Sequence, residues 1–319
     1  MKILVLSSEK RVPDYSYVYE YLGKYVDLEV MILSEAAQRN LDRLFKRINF
    51  SVFDRILIDL RFEYIYRQVK TLRHLPNVVI YEQDACQNFL KKSRWYGRFS
   101  SFYESLPNAR IIVTGFEVAE RLRKEQLTVD FIVKGYDPTV VFFEDMERDI
   151  DLGFIGRTAS NIYQERKALL EKLESEDGLR LLRTEEGEPY RKMLNRIRYF
   201  VSADIGFGEY MAKNFEAMAC GCVLLAWRQG LDEAAIGLEH GVHLLLYSSI
   251  EELRGHISML QQNPVLASQV AENGKLFAEQ NLTHRHLAEK LFAVLQKPLI
   301  ENQSTVSTWQ KLMGYFYGE

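Results

Sequence analysis

Short apolar runs alternate with segments of helical period along most of the chain. In the first half the runs at 2–7, 28–33, 55–60, 78–81, 110–114 and 131–133 read as strands, the first of them buried. Between the first two, Tyr15, Val18, Tyr19, Leu22 and Val26 recur at a spacing that lines one helical face, which predicts a helix over 15–25. A charged amphipathic helix is predicted around 36–48. In the second half, strands are predicted at 152–157, 179–182, 199–202, 223–227 and 243–246. Helices are predicted near 164–173, 190–198, 213–222, 250–261, 265–280, 284–295 and 308–316. Strand–helix alternation of this kind makes parallel sheets covered on both faces. Ligands bind such sheets at the carboxyl ends of the strands, which in the first half picks out residues 7–14, 59–63, 82–84 and 114–117.

The stretch 213–222, Lys-Asn-Phe-Glu-Ala-Met-Ala-Cys-Gly-Cys, organises the second half. It reads as a helix of about three turns stopped by Gly221 in the left-handed cap. Phe215, Met218 and Ala219 face one core, which leaves Glu216 as a carboxylate on a helix that otherwise buries itself. Gly206 and Gly208 lie in the loop before it. A glycine loop feeding a helix presents unpaired N–H groups and the positive end of the dipole to an anion. Lys213 adds a full charge near that helix start.

The run Asn-Phe-Glu-Ala-Met-Ala-Cys-Gly-Cys-Val-Leu-Leu from Asn214 onward resembles the nucleotide-sugar motif of GT-B glycosyltransferases, of group 1 and of the related CgeB-like proteins. The resemblance implies two facing Rossmann-like domains with parallel sheets and an interdomain cleft. It implies a donor site in which Glu216 holds the ribose, with Gly206, Gly208, Lys213 and Asn214 around the diphosphate. The segment Gly135–x–Asp137 with Phe142 is similar to the crossover turn of those enzymes. It divides the chain into an acceptor-side domain at 1–136, a nucleotide-sugar-binding domain at 137–300, and a tail helix at 301–319 that packs back on the first domain. Arg157, ending the first strand of the second domain, approaches the donor diphosphate by the same resemblance. Its plainer reading is a surface arginine.

The sequence departs from that pattern in two places. Retaining group 1 enzymes carry two glutamates separated by seven residues, and the position eight before Glu216 is Gly208. Glu209 and Asp204 are the nearest acids and stand as candidates for the missing catalytic group. The loop after the first strand carries Ser7, Ser8, Glu9, Lys10 and Arg11 in place of glycines, so side chains are expected to form that part of the cleft. Asp84, after the strand at 78–81, is a candidate base or acceptor-binding group, or else a cap for the helix that follows.

Composition narrows the rest. A chain of 319 residues suits two domains of about 150 each. A net charge of −3 gives no global case for nucleic acid. Cys86, Cys220 and Cys222 form no disulfide framework, which favours a reducing, cytoplasmic setting. No apolar stretch approaches the roughly 18 residues needed to cross a bilayer. The segment 91–99 is the densest in basic and aromatic residues; it suits anionic lipid headgroups, with Trp95 and Tyr96 at the interface, or an anionic acceptor, or a solvated loop. The histidines show no ligand spacing, and neither cofactor nor metal is expected.

The function expected is sugar transfer from a nucleotide-sugar donor to a glycan or lipid-linked acceptor, as in bacterial cell-surface polysaccharide assembly, with peripheral membrane contact. A GT-B-like subunit without catalysis and a nucleotide-sugar epimerase are the alternatives.

Overall fold

A computed structural model describes residues 1–158 and 164–300. Two α/β lobes face each other. The N-terminal sheet holds β1 (Lys2–Ser8), β2 (Asp27–Leu33), β3 (Arg55–Asp59), β4 (Val78–Glu82), β5 (Arg110–Val113) and β6 (Val129–Phe131), in the order β2-β1-β3-β4-β5-β6. The C-terminal sheet holds β7 (Ile150–Ile155), β8 (Arg180–Leu182), β9 (Ile197–Ser202), β10 (Val223–Trp227) and β11 (Leu245–Tyr247), in the order β11-β10-β9-β7-β8. Every strand pair is parallel. The apolar runs of the inner strands are continuous because both faces of each sheet are covered there, whereas the edge strand β2 leaves Val30 and Ile32 exposed. Leu4, Ile56 and Ile80 point into one core, while Ile3, Leu57 and Val79 point into another on the opposite face.

In each sheet the strand order reverses once, between β1 and β3 and between β7 and β9. A crevice opens at such a switch point beyond the carboxyl ends of the strands. The two crevices face each other, and the chain crosses between lobes twice. The first crossing runs through Tyr136 and the second through Thr283. They lie side by side: the Tyr136 N–H donates to Leu282 O at 3.0 Å, and the His284 N–H donates to Tyr136 O at 2.8 Å.

The second crossing corrects the expected domain boundary. The helix His284–Leu295 belongs to the N-terminal lobe, where Leu287, Ala288, Leu291 and Leu295 pack with Tyr15, Val18, Tyr19 and Leu22 of the helix Val12–Leu22. Its apolar stripe matches that face, so the return to the first domain occurs before residue 300. The tail expected at 301–319 lies outside the described residues.

Other elements shift locally. The helix expected at 36–48 breaks into Glu35–Gln38 and Leu41–Phe45, because the Asn40 side chain accepts from the Arg43 N–H and starts a new helix. The motif helix is Ala212–Ala219, eight residues, shorter than expected. Gly221 follows it with φ +74°, as the left-handed stop requires.

Candidate functional site

A cleft of ≈ 620 Å³ opens between the lobes. Arg11, Gln83 and Asp84 line it from the N-terminal side, and Lys134 and His284 line it at the two crossings. Arg157, Lys213, Glu216 and Tyr190 line it from the C-terminal side, with the segment 184–187.

The C-terminal wall carries Arg157, Arg166 and Lys213, together with Glu185, Glu186 and Glu216. Lys213 sits in the first turn of the helix Ala212–Ala219, whose cap residue Met211 makes no side-chain capping bond. Its Nζ donates to Ile155 O at 3.4 Å and lies 5.0 Å from the centre of the Phe154 ring. A Cβ at residue 156 would occupy the space of that ammonium group, so Gly156 is what lets it lie against the end of β7. Burial pushes the Lys213 pKa down, with Asp204 and Glu216 acting in the other direction. Lys213 makes no ion pair with a carboxylate among the described residues. Arg157, exposed just past the end of β7, likewise has no ion-pair partner among them. Two cations and an uncapped helix start thus converge on one crevice, an arrangement that favours a polyanion.

Glu216, one turn along the same helix, accepts a hydrogen bond from Tyr190 Oη at 2.6 Å. Burial and the Glu216 charge raise the phenol well above its ordinary pKa, so it remains a donor.

The N-terminal wall carries Asp84 beside Arg11. Asp84 is exposed to the cleft and its side chain caps nothing in the 3-10 turn Ala85–Asn88. Beneath it, Glu82 accepts the N–H groups of Gln83 and Asp84, both at 2.9 Å. Burial, and then the Asp84 charge, push Glu82 up to about 8. Arg11 reaches in from the start of the first helix, its Nε 3.5 Å from Asp59 Oδ1. Burial opposes the Arg11 charge, but Asp59, Asp84 and Glu82 outweigh it and raise its pKa. His284 is pushed down to about 4 by burial and is neutral at physiological pH.

Of the residues singled out in the sequence, the structure therefore gathers Asp84, Arg157, Lys213 and Glu216 around one cleft. Arg11 of the loop after the first strand joins them, while Asp204, Gly206, Gly208, Glu209 and Asn214 lie outside the lining. Asp204 is buried in an ion pair with Arg166 and accepts from Asn214 Nδ2 at 2.9 Å and Ser202 Oγ at 3.1 Å. Asn214 thus supports Asp204 from within the lobe. Glu209 is buried between lobes, 3.1 Å from Lys134 Nζ and 3.0 Å from Thr114 Oγ1. Gly206 and Gly208 adopt φ of +74° and +64°, but the Gly208 N–H donates to Gln229 Oε1 at 2.9 Å, so the protein itself takes that donor. The segment 91–99 is also more structural than its composition suggests. Trp95 packs edge-on against Phe62 and Tyr66, at 5.1 and 5.0 Å between ring centres, and Arg94 pairs with Glu63. Tyr96 stays exposed.

Sequence reasoning missed Tyr190, Lys134 and His284. Tyr190 lies in an anonymous basic helix; Lys134 sits beside the crossover turn read in the sequence, but that turn does not single out its lysine, and His284 sits at the second crossing, whose fold-back has no local signal. Among the described residues, no three or more His, Cys, Asp or Glu side chains are grouped to hold a metal ion. No helix among them is long and apolar enough to cross a membrane.

Residues 147–293 match a family described as glycosyl transferase-like. No curated protein matches the sequence. Among solved structures, a sucrose-phosphate synthase from Thermosynechococcus elongatus aligns with TM-score 0.66 at 12% identity, covering 99% of this chain and 100% of that one. HepE of Anabaena, solved in complex with UDP-glucose, gives 0.65 at 12%, over 92% and 99%. A glycosyltransferase from Rickettsia africae gives 0.61 at 12%, over 92% and 97%. The chain therefore has the GT-B fold of glycosyltransferases, with a C-terminal lobe that matches a glycosyl transferase-like family.

Proposed function

We propose that this protein transfers a sugar from a nucleotide-sugar donor to a hydroxyl of a glycan or lipid-linked acceptor. One observation carries the reading: Lys213 and Arg157, without carboxylate partners among the described residues, face an exposed carboxylate, Asp84, across a single cleft. The UDP-glucose bound to HepE, a structure of the same fold, supports a nucleotide-sugar as the donor.

The donor lies along the C-terminal wall with its diphosphate at Lys213, Arg157 and the helix start, and its ribose at Glu216. The acceptor enters along the N-terminal wall. Its hydroxyl oxygen forms the new bond to the anomeric carbon and its proton passes to Asp84. The bond from that carbon to the diphosphate oxygen breaks, and the electron pair leaves with the nucleoside diphosphate. The negative charge grows on the leaving group as the bond breaks, and the two cations stabilise it most at that stage.

Asp84→Asn tests the reading. Removing a general base lowers turnover by about 10²–10⁴-fold, while nucleoside diphosphate binding, measured by calorimetry, stays at the wild-type level. Titration with UDP, GDP and ADP that gives no heat sinks the donor site. Full transfer activity in Asp84→Asn removes Asp84 from the mechanism. Glu209 favours one rival, a binding subunit without catalysis, because the acid nearest the expected catalytic position is spent in a buried ion pair. Nucleotide binding with no turnover on any acceptor would select that rival.

A further inference from the structure

We propose that Tyr190 is a positioning residue: it orients the Glu216 carboxylate for the donor's ribose and so makes the cleft discriminate ribose from 2′-deoxyribose. The inference rests on the donor reading above and adds to it a residue and a selectivity.

The geometry is specific. Tyr190 and Glu216 line the same cleft from two different helices, Glu188–Arg196 and Ala212–Ala219. Their 2.6 Å contact is a phenol O–H donating to Oε2, the short, charge-assisted kind of hydrogen bond. A carboxylate has about four lone-pair sites, and a fixed donor on Oε2 helps set the plane in which the others point. Ribose offers two adjacent hydroxyl donors, and a carboxylate held in a fixed plane can accept both.

The phenol is itself held. Its ring packs on the C-terminal core beside the helix Ala212–Ala219. The next residue, Arg191, donates to Val140 O at 3.1 Å and Glu144 Oε1 at 3.0 Å, and its guanidinium lies 4.3 Å from the centre of the Phe142 ring. The helix that carries Tyr190 is thereby fastened to the segment that follows the first crossing. Tyr190 is not free to follow Glu216 if that side chain turns.

A site built to bond a hydroxyl rejects the analogue that lacks it, because its polar group is left unpaired. Binding of UDP, GDP and ADP and of their 2′-deoxy forms is therefore measured in wild type, Glu216→Gln, Tyr190→Phe and the double variant. Wild type is expected to bind the ribose form of its nucleotide about tenfold or more tighter than the deoxy form, the size of one bond to a charged group. Tyr190→Phe is expected to lose most of that ratio and to raise the donor KM with kcat unchanged. The double variant should be no weaker than Glu216→Gln alone. Both ligands are titrated against the same sample, so the ratio holds even if Tyr190→Phe lowers the folded fraction.

If Glu216→Gln flattens the ratio and Tyr190→Phe keeps it, the inference fails and the donor reading stands. If wild type binds none of the nucleotides, both fail. If it binds them without discrimination, Glu216 does not hold the ribose and Tyr190 positions nothing.

Discussion

Two regions of the interlobe space carry lysines, and they treat the charge in opposite ways. At the seam, Lys134 is 6% exposed and is matched by Glu209, itself buried, which also accepts from Thr114. Nearby, Gly115 has no side chain because a Cβ there would lie 2.6 Å from Glu209 Cβ and 2.7 Å from Gly208 O. Asp232, from the C-terminal lobe, accepts the N–H groups of Phe116 and Glu117 at 3.0 and 2.9 Å, capping a helix of the other lobe. At the cleft wall, Lys213 has a carbonyl and an aromatic face as its partners among the described residues. A buried charge with a partner fastens the lobes together. A half-buried charge without one carries a desolvation cost that folding does not recover, and a ligand can offset it.

The largest effect that separates the two is on stability. Lys134→Met strands Glu209 as a buried charge and is expected to cost roughly 3–5 kcal/mol in urea unfolding, the usual result of breaking a buried pair. Adding Glu209→Met removes the stranded charge and is expected to restore most of the loss. A single variant within about 1 kcal/mol of wild type, the range of solvent-exposed pairs, would mean that water reaches the seam and that the pair fastens nothing.

Lys213→Met should behave in the reverse way. Its folded-state pKa is depressed by burial, so the charged form is disfavoured in the fold and losing it leaves stability unchanged or raised. Removing one group that stabilises transition-state charge lowers turnover by about 10²–10³-fold, and nucleoside diphosphate affinity should fall with it. Destabilisation comparable to Lys134→Met would erase the distinction between the two lysines.

This contrast also marks what could be read from the chain before the structure. The strands were legible because apolar runs such as 55–60 and 223–227 report local burial on both faces. The helix at 212–219 and its stop at Gly221 were legible because cap chemistry is local. Pairings across the lobes were not. Glu209 meets Lys134 and Asp232 meets Phe116 only because two sheets, each specified separately, come to rest face to face. Trp95 was ambiguous for the same reason: composition places it among basic residues, and only the fold supplies Phe62 and Tyr66. The helix His284–Leu295 shows the limit most directly. Its apolar stripe is plain in the sequence, but a stripe does not say which lobe it will cover.

The smallest effect concerns pH at the seam. Burial raises the Asp232 carboxyl to about 7; the N–H groups of Glu117 and Phe116 pull it down, and Glu209 and Glu233 add to the rise. A carboxyl whose pKa is higher in the fold than its ordinary value of about 3.9 binds its proton more tightly when folded. Its stabilising contribution is then complete below about pH 4 and is lost as pH rises to about 7, at up to about 1.4 kcal/mol per pH unit. Glu82, raised to about 8, adds a slope of the same sign that runs one unit further. Asp232→Asn keeps an oxygen to accept from the helix start and removes the proton. Urea unfolding between pH 5 and 7 should therefore be less steeply pH-dependent in the variant, while the remaining slope toward about pH 8 persists. Parallel slopes in the two proteins would show that Asp232 is ionised throughout, and that the N–H groups of the facing helix outweigh burial at this contact.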